Sequence, residues 1–592
     1  MTFALEIARW AWGLLWLAVT AHAMWPWLPH FSDNVYLRWP LTVALSLGGL
    51  TLWLLVCSIW MLNVWAALAY PVLVLGSGLL YRRARPHTTP PPPPIPFDGL
   101  ILAMLAAVAL AYLFVLGQAT YYPFIADDEI SRYAYYARLL VEQGRLTPAV
   151  RGYPMFLPYA YASIFLVTGI RPEQLARLIP VLLSVATLLA AAALAYRWAS
   201  AANVRQPHRA AWATILVLAL TPNWLEWSPH GYIDIPTALY VTLAALAADV
   251  WRTQRDFRWA LLAGALAGLA FWVKQAGLFA LGPLGLVYAG VILPTLVTHH
   301  RLDITAIRDG LLTLAVALII GGTWYLRNVA YDGWAGAIPG PGAFYTALAQ
   351  RRLDQLIPFI SEFTALGWVA APLYLLGLAA ALLQLRQPGR LWALLWAVPY
   401  TLLWWYSFSY DVRFLLTVLP FYAVLVGLAA ADLSDWLTAR ITAPPRWLPY
   451  LVAVLLLAAS LHAATTARLG GLRQWAVAPT ASYAERLYRA KADLYPVVEW
   501  IEANVPPDAP IISMDGRLSY YLIDRPIRVV YPATLESLYN YDYIVVGSWW
   551  TTVYPGFGLA DSTMAAELAQ PTILRQRFSG PTGSIVIYEI TP

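Results

Sequence analysis

Three consecutive acids, Asp127, Asp128 and Glu129, follow an apolar stretch at 98–117 and open a segment of different character. An amphipathic pattern comes next, with Tyr133, Tyr136, Leu139 and Leu140 on one side and Arg132, Glu142 and Arg145 elsewhere. The chain then turns back through Tyr153, Pro154 and Pro158. Carboxylates at a membrane surface, backed by an interfacial helix, suit proton abstraction from a hydroxyl beside a lipid-borne substrate. The plainer reading is an acidic helix start favoured by the helix dipole.

Four more ionisable groups stand at the ends of apolar stretches. They are Asp234, close after His230, and Lys274, Arg327 and Arg413. A charged side chain at the bilayer centre costs about 2.5–3.5 kcal/mol on insertion scales, so each needs a reason. Taken singly, each reads as a snorkelling or capping residue. Taken together with the three acids, they put carboxylates and cations on one face, which suits an anionic substrate cleaved beside a base. Sugar transfer from a polyprenyl phosphate has those needs. The attacking hydroxyl gives its proton to a carboxylate, and the departing phosphate needs cations rather than a general acid. A hydrolase of a neutral glycoside would instead need two carboxylates with separated pKa values.

Such groups can meet only if membrane spans hold them. The 592 residues are 60% hydrophobic and 12% charged, with mean hydropathy +0.59. Soluble domains carry roughly 25% charged residues. The apolar blocks here reach the ~20 residues that a spanning helix needs. The expected fold is an all-α polytopic membrane protein of about 13–14 transmembrane helices. The 29 Trp and 36 Tyr fit interfacial belts, and also surfaces that touch sugar or lipid. The net charge of +6 comes mainly from Arg in short loops, which reads as topology and not as nucleic-acid binding. Cys57 is the sole cysteine, so no intrachain disulfide forms. No cleavable signal peptide is expected, because the first apolar stretch runs into Trp25, Pro26 and Trp27 without a small-residue cleavage site.

Residues 1–81 read as an N-terminal unit of three spans, at 5–23, 41–61 and 64–81. A linker at 82–97 carries Arg82, Arg83 and Arg85, then a proline run that favours stiff polyproline II. Its arginines place it in the cytoplasm. Residues 98–466 form the main membrane domain, with outer loops at 118–155 and 330–362; part of the second, 344–357, reads as an amphipathic surface helix. Further spans are expected at 175–196, 211–227, 232–250, 260–273, 278–297, 311–325, 365–385, 391–406, 414–433 and 448–464. The basic loops at Arg197, Arg205 and Arg209, at Arg252, Arg255 and Arg258, at His299 to Arg308, at Arg386 and Arg390, and at Arg440 and Arg446 all fall inside on one condition. The apolar piece 155–168 must dip into the bilayer or lie on it without crossing. The acids, Lys274, Arg327, Arg413 and Tyr410 then share the outer face.

Residues 475–592 carry more charge and proline. A helix at 495–504 and strands at 511–514, 527–530, 543–546 and 584–589 predict a small extracytoplasmic α/β domain. Its Trp549, Trp550 and Tyr554 could bind a glycan or pack on the membrane domain.

The order of motifs resembles the GT-C superfamily of integral membrane glycosyltransferases, in particular its protein O-mannosyltransferase and aminoarabinose-transferase branch. Asp128 and Glu129, followed by Tyr133 to Arg138, resemble the first-outer-loop Asp-Glu motif. Gly152, Tyr153 and Pro154 resemble its return to the membrane, and Ala176 to Pro180 the start of the next span. Ser228 to Pro236 resembles a second acidic motif, and Trp272 to Leu278 a lysine-containing segment. Trp324 to Asn328 and Arg413 to Pro420 resemble two later stretches. The resemblance covers residues 98–464. It implies an inverting transferase, for a hexosyl or pentosyl group, at the outer face of the plasma membrane. The donor would be a polyprenyl-phosphate sugar, and the acceptor a hydroxyl of a protein, lipid or glycan.

By position, the resemblance makes Asp128 the base, with Asp127 as an added acid that could take that role. Glu129 would orient the acceptor or an adjacent cation. Asp234 and His230 would support substrate binding. Lys274, Arg327 and Arg413 would grip the lipid phosphate, with Tyr153 on the return. Arg151 stands before a single proline where the family has a basic residue before two. No cofactor is firmly implied; adjacent carboxylates would suit a divalent cation, but a metal-free mechanism is preferred. The alternatives are a transporter or lipid flippase, against which no internal repeat is seen, and a scaffold subunit that binds a partner through its C-terminal domain.

Overall fold

The computed structural model describes residues 3–28, 34–84, 95, 98–148, 150, 152–170, 173–333, 367–407, 411–440, 445, 447–529, 541–547, 574–580 and 583–589. Arg85 and the proline run, Arg151, the surface helix expected at 344–357, Tyr410, Arg446, Trp549, Trp550 and Tyr554 lie outside the described residues.

The N-terminal unit is three helices, α1 (Phe3–Ala21), α2 (Arg38–Ser58) and α3 (Val64–Ala84). The main domain opens with α4 (Gly99–Tyr121), whose start is capped by Asp98 accepting from the Ile101 amide at 2.9 Å. A π-helical turn, Glu129–Ala134, leads into the short α5 (Tyr135–Gln143). Then come α6 (Phe156–Thr168), α7 (Gln174–Ala201), α8 (Pro207–Ala219), α9 (Pro222–Trp227), α10 (Asp234–Gln254) and α11 (Phe257–Val273). Next are α12 (Leu281–His299), α13 (Ile304–Asp332), α14 (Gly367–Leu383), α15 (Pro388–Ser407), α16 (Leu419–Arg440) and α17 (Leu448–Thr466).

Among the described residues, eight helices are long and apolar enough to cross a membrane; one of them joins a 3₁₀ turn, Gln275–Ala280, to α12. The chain is an integral, multi-pass membrane protein. Shorter apolar helices, α6 and α11 among them, fill the bundle.

One of the expected spans differs in detail. The stretch 211–227 is not one helix. It ends at Ala219 and restarts at Pro222 as α9, because proline cannot donate to the preceding turn and suits a first helical position. The piece at 155–168 forms the short helix α6. Its 13 residues reach only ~20 Å. It is buried along nearly its whole length among α1, α2, α3, α5 and α7, so it is an internal helix and not a surface one. Close approach of α11 and α13 rests on glycine: Gly268 lies against Ala317, and Gly321 against Phe271.

Several of the arginines expected on one side pair with acids of neighbouring segments. Arg197 and Arg252 hold Asp249 at 2.6 and 2.8 Å, Arg209 reaches Asp98 at 3.3 Å, and Arg255 and Arg390 pair with Asp303 and Asp432.

Beyond α17 the chain forms α18 (Gly471–Val477), α19 (Tyr483–Ala490) and α20 (Tyr495–Asn504). A five-stranded sheet follows in the order β2-β1-β3-β5-β4. The strands are β1 (Ile511–Ser513), β2 (Ile527–Val529), β3 (Tyr543–Gly547), β4 (Leu574–Gly580) and β5 (Gly583–Glu589), with a short α21 (Leu518–Tyr521) after β1. β1 runs parallel to β2 and β3, while β5 is antiparallel to β3 and β4. Leu494, Val497 and Ile501 of the α20 region pack on Ile511, Val545 and Ile587. This is the small α/β domain expected, with β4 added.

Candidate active site

The three acids at the end of α4 point to three different partners. Glu129 opens the π-helical turn and is wholly buried. Its Oε1 accepts from the Gly231 amide at 2.7 Å, and its Oε2 from the Ile125 and Ala126 amides at 3.2 Å each. Arg177 Nε, equally buried, lies 3.6 Å from Oε1. Arg177 also donates to the carbonyls of Gln118 and Tyr122 at 3.0 and 2.8 Å, so one guanidinium fixes the end of α4 to the turn. Burial pushes the Glu129 carboxyl up, and Arg177 and the three amides work against it. Gly231 is required here, since a Cβ would collide with the Tyr161 hydroxyl and come within 2.9 Å of Glu129 Oε1.

Asp127 faces away from the membrane domain. Lys491 Nζ and Arg517 Nη1 approach its Oδ1 at 3.0 and 3.3 Å. Burial opposes its ionisation, but the two cations outweigh burial and hold the carboxyl below its usual value.

Asp128 lies between. Its side chain is 32% exposed and has looser partners, Arg132 Nε at 3.5 Å and Arg413 Nη2 at 3.7 Å. Its own amide donates to the Tyr232 hydroxyl at 3.4 Å. Of the three, this carboxylate combines partial exposure with ion pairs no shorter than 3.5 Å among the described residues.

Arg413 leads from Asp128 to a second centre. Asp234, the first residue of α10, is buried and accepts from Lys274 Nζ at 2.6 Å. Arg413 Nε lies 3.5 Å from the same carboxylate, and its Nη2 is 3.0 Å from Asp411. Local structure places each group. Lys274 follows the last residue of α11, where the helix gives way to the 3₁₀ turn. Asp411 caps another 3₁₀ turn, Val412–Thr417, by accepting from the Arg413 amide at 2.9 Å. Aromatic rings face both cations: Tyr232 lies 4.0 Å from the Arg413 guanidinium, and Phe414 3.9 Å from Lys274 Nζ. Asp128, Arg413, Asp234 and Lys274 thus form one linked array of alternating charge.

Other expected site residues lie apart from this array. Arg327, expected to grip the lipid phosphate, meets the loop before α6. Its Nη1 and Nη2 donate to the carbonyls of Val150 and Thr147 at 2.9 and 3.0 Å. Trp324 and Asn328 donate to the Gly152 carbonyl at 3.0 and 3.2 Å, so this stretch of α13 ties down the loop that returns to α6. Gly152 has φ +85°, which favours glycine. His230 donates through Nδ1 to the Glu226 carbonyl at 2.7 Å. Burial and the nearby Arg177 push its pKa down to about 3, so it stays neutral and serves the turn before α10. Tyr153 lies under the Arg132 guanidinium at 4.5 Å and so borders the Asp128 side.

Sequence reasoning gave no role to Arg177, Glu173, Lys491 or Arg517. An arginine inside the apolar stretch 175–196 was a signal in itself, because a charge at that depth needs a partner. Among the described residues no three His, Cys, Asp or Glu side chains are grouped to hold a metal, and Asp127, Asp128 and Glu129 each face a different cation.

No protein-family model and no curated protein matches the chain. Among solved structures it is similar to ArnT from Cupriavidus metallidurans bound to undecaprenyl phosphate. The TM-score is 0.49 at 18% identity, over 82% of this chain and 98% of that one. It is also similar to the apo oligosaccharyltransferase of Archaeoglobus fulgidus, with TM-score 0.45 at 14% identity, over 82% of this chain and 74% of that one.

Proposed function

We propose that the chain is an inverting membrane glycosyltransferase that moves a sugar from a polyprenyl-phosphate donor to an acceptor hydroxyl at the outer face of the plasma membrane. The observation that carries this reading is the linked array. A partly exposed carboxylate, Asp128, shares Arg413 with the buried Asp234–Lys274 pair. The order of motifs in the sequence supports it, and the arginines of the short loops support an outward-facing site.

In this mechanism Asp128 accepts the proton of the acceptor hydroxyl as its oxygen bonds to the anomeric carbon. The bond from that carbon to the phosphate oxygen breaks, and its electron pair leaves with the polyprenyl phosphate. Arg413 and Lys274 meet the charge that grows on that phosphate. Asp234 keeps both cations at one place while no donor is bound. Displacement in one step inverts the anomeric configuration. A hydroxyl of a protein, a lipid or a glycan satisfies this chemistry equally.

The test is to reconstitute purified protein in lipid and supply a panel of polyprenyl-phosphate sugars. The expected result is release of polyprenyl phosphate with at least one donor, faster when an acceptor is added. Uptake of labelled solute into sealed liposomes, with no release from any donor, would replace this reading with transport.

A further inference from the structure

Asp127 stands one residue before the proposed base, yet its carboxylate belongs to a contact with the C-terminal domain. Lys491 and Arg517 both reach it, and Arg517 is itself fixed. Its Nε donates to the two oxygens of Asp515 at 2.9 and 3.1 Å, and Asp493 lies 3.6 Å from its Nη2. Asp515 stands two residues beyond the last residue of β1 and its amide donates to Ser513 Oγ at 2.9 Å, so the guanidinium is referenced to the sheet.

A second contact lies on the other side of the acidic turn. Glu173, buried before α7, accepts the hydroxyls of Tyr483 and Tyr520 at 2.8 and 2.6 Å on Oε1. On Oε2 it accepts the Phe124 amide at 3.0 Å. Arg138 of α5 donates to the Tyr520 carbonyl at 2.7 Å, and Arg486 to the Tyr121 carbonyl at 3.3 Å. The domain therefore holds the segment from Tyr121 to Arg138 both before and after Asp128.

We propose that the C-terminal domain is a clamp that sets the Asp128 carboxylate, with Asp127 as its positioning residue and not a second base. This rests on the reading of Asp128 as the base. The physical reason is opposed anchoring. Lys491 and Arg517 hold Asp127 toward the domain, while Arg177 and the Gly231 amide hold Glu129 toward the bundle. With both neighbours fixed, the backbone of Asp128 has one orientation, and only its side-chain torsions stay free. Were the turn loose, Asp128 could close onto Arg132 or Arg413, now 3.5 and 3.7 Å away, and leave no room for a hydroxyl.

Two measurements on the full chain in lipid test the clamp. The first is hydrogen exchange of the amides at 125–134 in the native protein and in Asp127→Asn, Asp127→Glu and Lys491→Met. Exchange should rise about tenfold in Asp127→Asn, less in Lys491→Met, and return toward native in Asp127→Glu. Native-like exchange in Asp127→Asn overturns the clamp whatever the activity.

The second is the pH–rate profile with a competent donor. Asp127→Asn should lose about tenfold in kcat, keep donor KM within about twofold, and leave the acid limb of the profile in place. Loss of that limb, or a fall in kcat of about a thousandfold, would make Asp127 the base and overturn the assignment. If the native protein transfers sugar from no donor, the functional reading fails while the exchange experiment still decides the clamp.

Discussion

Glu129→Gln separates what holds the acidic turn from what reacts on it. The substitution keeps the shape and removes one charge from a pair in which both side chains are wholly buried. Removing one partner of such a pair costs about 3–5 kcal/mol, because the other charge stays in a low-dielectric site. The amides add to this. Gly231 donates to one carboxylate oxygen, and Ile125 and Ala126 to the other. A glutamine must turn its NH₂ toward one of these sets, which loses at least one hydrogen bond and leaves a buried donor unsatisfied at a cost of roughly 1–3 kcal/mol. Arg177 keeps its two carbonyl acceptors, Gln118 and Tyr122, so the lower end of the combined range is expected, about 4 kcal/mol. The assay is denaturant unfolding in mixed micelles, run beside sugar transfer. Glu129→Gln should move the midpoint down strongly and lose activity with it. A variant as stable as the native protein would refute the structural role. If that stable variant were also inactive, Glu129 would have to act on the substrate.

Asp128→Asn is the contrasting case: its carboxylate is partly exposed and Arg413 keeps Asp234 and Asp411, so stability should change by less than about 1 kcal/mol while kcat falls about 10²–10⁴-fold, read as transfer rate on matched folded protein. Arg413→Lys should lower kcat/KM about a hundredfold despite keeping the charge, since one ammonium cannot span three carboxylates; titration of rate against donor concentration measures it. Gly231→Ala should destabilise by pressing on Tyr161 and Glu129, and Tyr161→Phe should recover part of the loss by removing the hydroxyl that the new Cβ meets; a double-mutant cycle on the unfolding midpoint tests the coupling. Asp127 predicts a pH dependence. Its folded pKa is depressed, so its stabilisation is full above the unfolded value of about 3.9 and is lost as pH falls through the lower folded value. The melting difference between the native protein and Asp127→Asn should hold from pH 7 to about 5 and fade below about 4; a difference that widens on acidification would contradict it.

The spans were legible because about 20 apolar residues in a row decide a helix on local composition alone. The burial of the short piece at 155–168 was not legible, since hydropathy cannot tell lipid from protein as the surrounding medium. β4 was missed for a related reason. Its sequence, Leu574 to Gly580, holds no β-branched residue, and pairing with β5 makes it a strand. The site divides along the same line. Composition marked Asp128, Asp234, Lys274 and Arg413 as charges at span ends, and the fold links them. Arg327 carries the same mark, yet it holds backbone carbonyls.

A charge at a span end states that a partner exists and is silent on whether the partner is a ligand, a carboxylate or a peptide group. Only distance in space answers that, and the distances can cross the whole chain. Asp127 and Lys491 are 364 residues apart, and no local pattern could have joined them. The acid triplet therefore reads from sequence as one feature with three interchangeable members. In the fold it is three separate contacts, and the member with the loosest partners, Asp128, is the one we propose as the base.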